Sequence, residues 1–241
     1  MGRFELYGQG LPAIAAGELK GKLVVVEGPD GVGRSTHIAL LREWLESRGH
    51  AVLDTGMTRS ALAGKGLKAA KEGHTLGGIT MNLFYATDFA DRLEHEMIPA
   101  LRAGFVVLTD RYIYSLMARA IVRGADPQWM NGVYEFALKP DVIIYLHATV
   151  DQLVTRTVQS SGFNYWECGM DLRLGDDLYD SFMAYQGRLL KVFDRMTDEY
   201  GFRVVDTSGS IQSISDQIKE LLEPMLVPVL APAFSGLAGS R

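Results

Sequence analysis

The sequence holds a single cysteine, Cys168, so no internal disulfide can form. The motif around it, "WECG", has no histidine nearby and cannot close a zinc site. No apolar run approaches the ~20 residues needed to span a bilayer. Positive charge is also scarce: 24 Lys and Arg face 29 Asp and Glu, for a net charge of −5 and a pI near 5.6. A nucleic-acid surface would need clustered basic residues, and none stand out. The opening stretch "MGRFELYGQGLPAIAAGELKG" has one arginine and no continuous apolar core, so a signal peptide is not expected. The five histidines, His37, His50, His74, His95 and His147, show no catalytic spacing. What remains is ordinary globular composition, 47% hydrophobic and 22% charged over 241 residues. A cytoplasmic protein with neither membrane nor nucleic-acid partners is the expectation.

Five β-branched or apolar runs read as strands: "KLVVVEG", "AVLD", "FVVLTD", "DVIIYL" and "FRVVDT". Between them lie helical patterns. Ser35 to Arg48 carries Ile38, Leu41 and Leu45 at helical spacing and stops at Gly49. The glycine-rich pieces "GKG" and "GHTLGG" bracket a short helix, and a long helix is expected from Thr80 to Ala103. Strand alternating with helix over the whole chain predicts an α/β fold with a mostly parallel sheet, in one domain. The segment from Pro224 holds three of the eight prolines and reads as a flexible tail over 224–241.

The stretch "VVVEGPDGVGRSTHIALL" carries the strongest chemical signal. Gly28, Gly33 and Ser35 match the phosphate-loop template G-x-x-x-x-G-K-[ST], with a buried strand before and a helix after. Glycines let backbone N–H groups turn inward around phosphate oxygens, and the helix N-terminus adds partial positive charge. The Ser35 hydroxyl suits Mg²⁺. Arg34 replaces the lysine, keeping the charge while exchanging a point donor for a planar fork. A tight strand-to-helix turn without a ligand is the competing reading.

Four pieces in order, "EGPDGVGRST", "LFYATDFADRLEHEMIPALRAG", "VVLTDRYIYS" and "KPDVIIYL", resemble the thymidylate kinase family. The resemblance covers about Lys22 to Leu222. It implies a three-layer P-loop kinase fold with a five-stranded parallel sheet flanked by helices, a domain over 22–223, an N-terminal extension over 1–21, and a lid near 160–178. It implies a nucleoside monophosphate kinase that uses ATP and Mg²⁺, with dTMP as the expected acceptor and a two-fold homodimer as the assembly. The loop Gly28, Asp30, Gly31, Gly33, Arg34, Ser35 and Thr36 would hold ATP. Ser35 and Asp110 would hold Mg²⁺. Arg34, Asp110, Arg111 and Asp30 would form the catalytic set. Arg59, Tyr85, Arg92, Arg111 and Ser115 would face the acceptor.

Several of these residues fit a plainer role as well. Asp110 suits a helix N-cap, Arg111 and Arg59 suit surface positions, Asp30 suits an Asx turn in "PDG", and Tyr85 suits core packing. The sequence also departs from the family pattern. Phe89 stands where a base-reading arginine is expected, with Arg92 one helical turn on. Arg119 and Ala120 replace a tyrosine and a glutamine, and the acceptor-phosphate loop becomes "DTGMTRSALAG". The lid is acidic, with Arg173 among Glu167, Asp171, Asp176 and Asp177. Relaxed use of thymidylate, another small acceptor such as a modified deoxynucleotide or nucleoside, and a non-catalytic nucleotide-binding regulator are the alternatives. For the dimer, Met81, Phe84 and Phe89 broaden the apolar face of the long helix. Burial of that face within one chain is the competing reading.

Overall fold

The computed structural model describes residues 4–8, 19–73, 76–160 and 162–226. Its centre is a parallel sheet of five strands: β1 (Lys22–Glu27), β2 (Val52–Gly56), β3 (Val106–Asp110), β4 (Val142–His147) and β5 (Arg203–Asp206). They lie in the order β2-β3-β1-β4-β5, every pair parallel. The helices are α1 (Arg34–Ser47), α2 (Gly64–Gly73), α3 (Gly78–Arg92), α4 (Ile98–Arg102), α5 (Ile113–Val122), α6 (Pro127–Val133), α7 (Val150–Gln159), α8 (Leu178–Tyr200) and α9 (Ile211–Leu222). This is the expected three-layer α/β architecture.

The sequence of β1 shows why both faces of the sheet are covered. Its residues are hydrophobic without alternation, so each face must be buried. Leu23 and Val25 enter one core with Phe89, Leu93, Tyr112 and Phe193. Val24 and Val26 enter the other with Ile38, Leu41, Leu45 and Ile214. The chain builds one side of the sheet first, then crosses over β1 to build the other. The crevice beyond the carboxyl ends of β1 and β3 is therefore the switch point where such folds bind ligands.

Element boundaries differ modestly from expectation. The "GKG" glycines lie inside α2, not before it; Gly64 packs too close to the Thr58 carbonyl to carry a side chain. The long helix begins two residues early, at Gly78. It runs through a π turn at Leu93–Met97 into α4, ending at Arg102. Strand β2 continues through Thr55 to Gly56. Residues 223–225 form a short 3₁₀ turn, and the expected tail from 227 onward lies outside the described residues. Residues 4–8 of the N-terminal extension pack onto the domain: Leu6 bridges Leu138, Phe4 is buried, and Tyr7 shares a hydroxyl hydrogen bond with Tyr114.

Phe89 does not face solvent or a dimer surface. It is fully buried, edge-on to Tyr112 at a centroid distance of 4.9 Å and to Tyr134 at 5.9 Å. It therefore drops out of the argument for a broad apolar dimer face. Among the described residues no helix is long and apolar enough to cross a membrane. Phe89→Ala should lower stability by about 3–5 kcal/mol, through lost burial and the residual cavity, read as a drop in the urea midpoint at unchanged m-value. A midpoint equal to the parent's would show that this aromatic cluster does not organise the core.

Candidate active site

The loop between β1 and α1 is shaped by glycines. Gly28 has φ 147°, and a Cβ there would lie 2.7 Å from the Leu146 carbonyl oxygen of β4. Gly31 has φ 77°, and its Cβ would lie 2.8 Å from Thr157 Oγ1 of α7. Side chains at these positions would collide with β4 and α7, and both φ values are ones that L side chains rarely adopt, so the turn needs glycine at each. Ser35 and Thr36 stand exposed in the first turn of α1.

Arg34 is turned inward. Its Nε donates to Asp110 Oδ1 at 2.7 Å, and its Nη1 donates to the Gly28 carbonyl at 2.6 Å and to the Pro29 carbonyl. Its side chain is buried. To reach a phosphate it must release these partners. Arg156 from α7 braces the other side of the loop, donating to the carbonyls of Val32 and Thr207 and to Thr207 Oγ1.

Asp30, the carboxylate inside the loop, receives two guanidinium groups. Arg111 Nη2 donates to Oδ1, and Arg119 Nη2 donates to Oδ2 at 2.6 Å. Burial works against the charge on Asp30, yet Arg119, Arg111 and Arg34 outweigh it and hold the carboxyl well below the usual range. Burial, with Arg34 close by, lowers Arg111 to about 10. Burial also opposes the charge on Arg119, but Asp30 raises it overall. Arg111 sits at φ 67°, uncommon for a non-glycine residue. Its backbone N–H is tied to the Val26 carbonyl at 3.0 Å.

These groups line a cavity of about 600 Å³. Asp30, Arg59, Tyr85, Asp110 and Arg111 from the expected set meet there, with Arg119. Arg59 pairs with Asp54 at 3.1 Å on the surface. Burial raises the half-buried Tyr85 phenol above its ordinary value.

Two expected acceptor residues lie elsewhere. Ser115 is buried, and its hydroxyl donates to Glu27 Oε2 at 2.5 Å. It supports the end of β1 and does not reach the cavity. Arg92 is also buried, with Nε donating to Asp88 Oδ2 at 3.1 Å. Asp88 in turn accepts the backbone N–H groups of Thr58 and Ser60, so the pair anchors the loop that follows β2. Arg173 faces a second, adjoining cavity.

Sequence reasoning missed three contributions. Lys68 and Lys71, three apart on α2, both line the first cavity. Their spacing places them on one helix face, which was the available signal. Burial lowers Lys71 from its ordinary value. From the lid, Glu167 and Trp166 join the same wall. Trp166 Nε1 donates to the Lys71 carbonyl at 3.1 Å, tying lid to α2. Glu27 is the third, a fully buried carboxylate accepting from Tyr112 N at 2.8 Å and Ser115 N at 3.2 Å.

Residues 26–218 match the family model described as thymidylate kinase. The chain belongs to the thymidylate kinase family. A probable thymidylate kinase 2 of Saccharolobus solfataricus is 33% identical over 206 residues, spanning 85% of this chain and 96% of that protein. A probable thymidylate kinase of Thermococcus kodakarensis is 29% identical over 84% of this chain and 98% of its own length. The thymidylate kinase of Caldicellulosiruptor saccharolyticus is 25% identical over 86% and 98%. Identities of this size mark a divergent member of the thymidylate kinase family, and a kinase-type site agrees with the fold.

Glu27 yields a pH test. Burial raises its carboxyl above the ordinary value, against the pull of Ser115 and Tyr112. In the unfolded chain such a group titrates near pH 4. Between that value and the raised one the folded protein holds a proton the unfolded chain has released, so stability falls as pH climbs through the interval. Glu27→Gln removes this decline. The difference in Tm, variant minus parent, should be more positive at pH 7.5 than at pH 4. A difference that does not change with pH would show that Glu27 is not proton-linked to folding.

Proposed function

We infer that this protein transfers the γ-phosphoryl group of ATP to the 5′-phosphate of a deoxynucleoside monophosphate, with dTMP as the plain acceptor. One observation carries the reading: Asp30 from the loop, Arg111 from the end of β3 and Arg119 from α5 converge on one charged cavity beside the glycine cradle. Family membership supports the reaction class.

The residues present fit the donor and its metal. Gly28 and Gly31, at positive φ and pressed against β4 and α7, let the loop backbone turn as a phosphate site requires. Mg²⁺ is commonly held by one or two protein oxygens, with phosphates and water completing its shell. Ser35 and Asp110 would provide those oxygens. When bound, the ion neutralises charge on the transferred phosphoryl group.

The chain's own work is positioning and charge. Asp30 holds Arg111 and Arg119 in place. Arg111 offers positive charge where the phosphoryl group crosses between donor and acceptor. Arg59, Lys68 and Lys71 are available to the acceptor phosphate, because Arg59 gives up only a surface ion pair, worth about 0–1 kcal/mol. Tyr85 presents a ring on which a base can stack. Arg34 serves the donor phosphates after leaving Asp110. A two-fold dimer belongs to the same reading, and Leu83 and Phe84, exposed on α3, offer it apolar area. Sedimentation at micromolar concentration should then show a species of twice 26.5 kDa; a monomer alone would rule the dimer out.

The inward turn of Arg34 favours a second reading, a nucleotide binder without turnover. The decisive measurement is ATP consumption with thymidylate, deoxyuridylate, deoxycytidylate and purine monophosphates at equal concentration. Turnover of thymidylate with weak discrimination is expected. Arg34→Ala should lower kcat/KM by about 100-fold or more, the scale of losing one preorganised charge at a transition state. Arg34→Lys should retain part of the activity. An Arg34→Ala variant that uses ATP like the parent would sink the assignment of this loop, and no turnover with any monophosphate would favour the binder.

A further inference from the structure

The charged cavity does not end at Tyr85. Past Tyr85, Lys71 and Arg119, which line both spaces, a second cavity of about 810 Å³ opens between α3, α5, the start of α6 and the lid. The first cavity alone falls within the range of about 300–1,000 Å³ that holds a whole small ligand. The second is therefore a further ligand-sized space joined to it.

The two spaces differ in chemistry. Ile79, Leu116, Ala120, Ala125, Trp129 and Met170 make the wall of the second largely apolar. Several charged groups at its edge are engaged, while Lys71 and Arg173, which also line it, are in no ion pair among the described residues. Arg123 forms a two-pronged ion pair with Asp171, at 2.8 and 3.1 Å, and also donates to the Tyr185 hydroxyl. Asp126 caps α6 through the Trp129 backbone N–H at 2.8 Å. Away from Lys71 and Arg173, a polar ligand group has little to win there. Apolar area, by contrast, is left in water: Ile79 is 69% exposed, Tyr165 41% and Trp129 37%. Large side chains gathered exposed around one opening mark a binding surface. Alanine at 120 and 125 leaves room for a flat group.

We propose that the second cavity is an acceptor subsite for a flat apolar or aromatic substituent on the base, so that the acceptor class is nucleoside monophosphates enlarged at the base. This rests on the first cavity holding the monophosphate. With the phosphate among Arg59, Lys68 and Lys71 and the base on Tyr85, the far edge of the ring points to the junction of the two spaces. A substituent there covers Ile79, Tyr165 and Trp129, and the gain comes from apolar area removed from water.

The probe is 5-(phenylethynyl)-2′-deoxyuridine 5′-monophosphate, compared with thymidylate by calorimetric titration of the full chain. It should bind at least tenfold more tightly than thymidylate. Ala125→Phe fills the space and should abolish that gain while leaving thymidylate affinity within threefold. Ile79→Ser alters an exposed side chain, so folding is not at risk, and should weaken the probe by at least threefold. A gain under tenfold in the parent, or a gain that persists in both variants, overturns the proposal. Binding without turnover separates the two readings. A protein that prefers the probe but phosphorylates no monophosphate loses the kinase assignment and keeps the subsite; one that phosphorylates thymidylate but gains nothing from the probe does the reverse.

Discussion

The site depends on two ion pairs that cross. The end of β3 presents a carboxylate and a guanidinium in succession, Asp110 and Arg111. The glycine loop presents the same two charges, Asp30 and Arg34. Each joins the opposite charge on the other segment: Arg34 with Asp110, and Arg111 with Asp30. Both pairs are largely buried, and removing one partner from such a pair costs roughly 3–5 kcal/mol because the other charge is left stranded. Arg119 adds a third arm from α5. The carboxylate in the glycine loop, which would repel a phosphate if left unpaired, is the clasp that fixes the loop to the strand.

That arrangement sorts the cations around the cavity by what it costs to recruit them. Arg34 and Arg111 are held in low-exposure pairs, where Coulomb attraction is weakly screened. Arg59 is paired only at the surface, and Lys68 is exposed. On the proposed reading, an arriving phosphate would draw on Arg59, Lys68 and Lys71 at little cost. Drawing on Arg34 disturbs the clasp itself. An arginine in place of lysine thus has a structural reason: its fork can span Asp110 and two loop carbonyls at once, which a single ammonium on a flexible stem does less well.

Much of this was legible beforehand. All five strands and the glycine loop follow from apolar runs, turn residues and a motif in its proper context; the grouping of Asp30, Asp110 and Arg111 came with the family resemblance. The misplacements share one cause. Ser115, Phe89 and Arg92 sit on helices, where periodicity gives spacing around the axis but not which face meets which neighbour. Arg92 was read toward the ligand, yet Asp88 lies four residues before it on the same face and claims it. Glu27 closes a strand that reads as purely apolar, so nothing local announces that its carboxylate caps the turn leading into α5. Lys68 and Lys71 lie in a stretch whose helix start was misread, and their shared face became visible only with α2 in place.

The described part of the segment expected as a lid is held by the chain itself. Arg123 grips Asp171 and the Trp166 carbonyl, and the Trp166 indole grips α2. The conformational entropy of arranging this wall is therefore spent when the protein folds, not when a ligand arrives. Loops that are disordered until binding subtract that entropy from every association. On the proposed reading, the acceptor side would meet its ligand already assembled, so affinity would report the contacts made and only slightly the cost of gathering them.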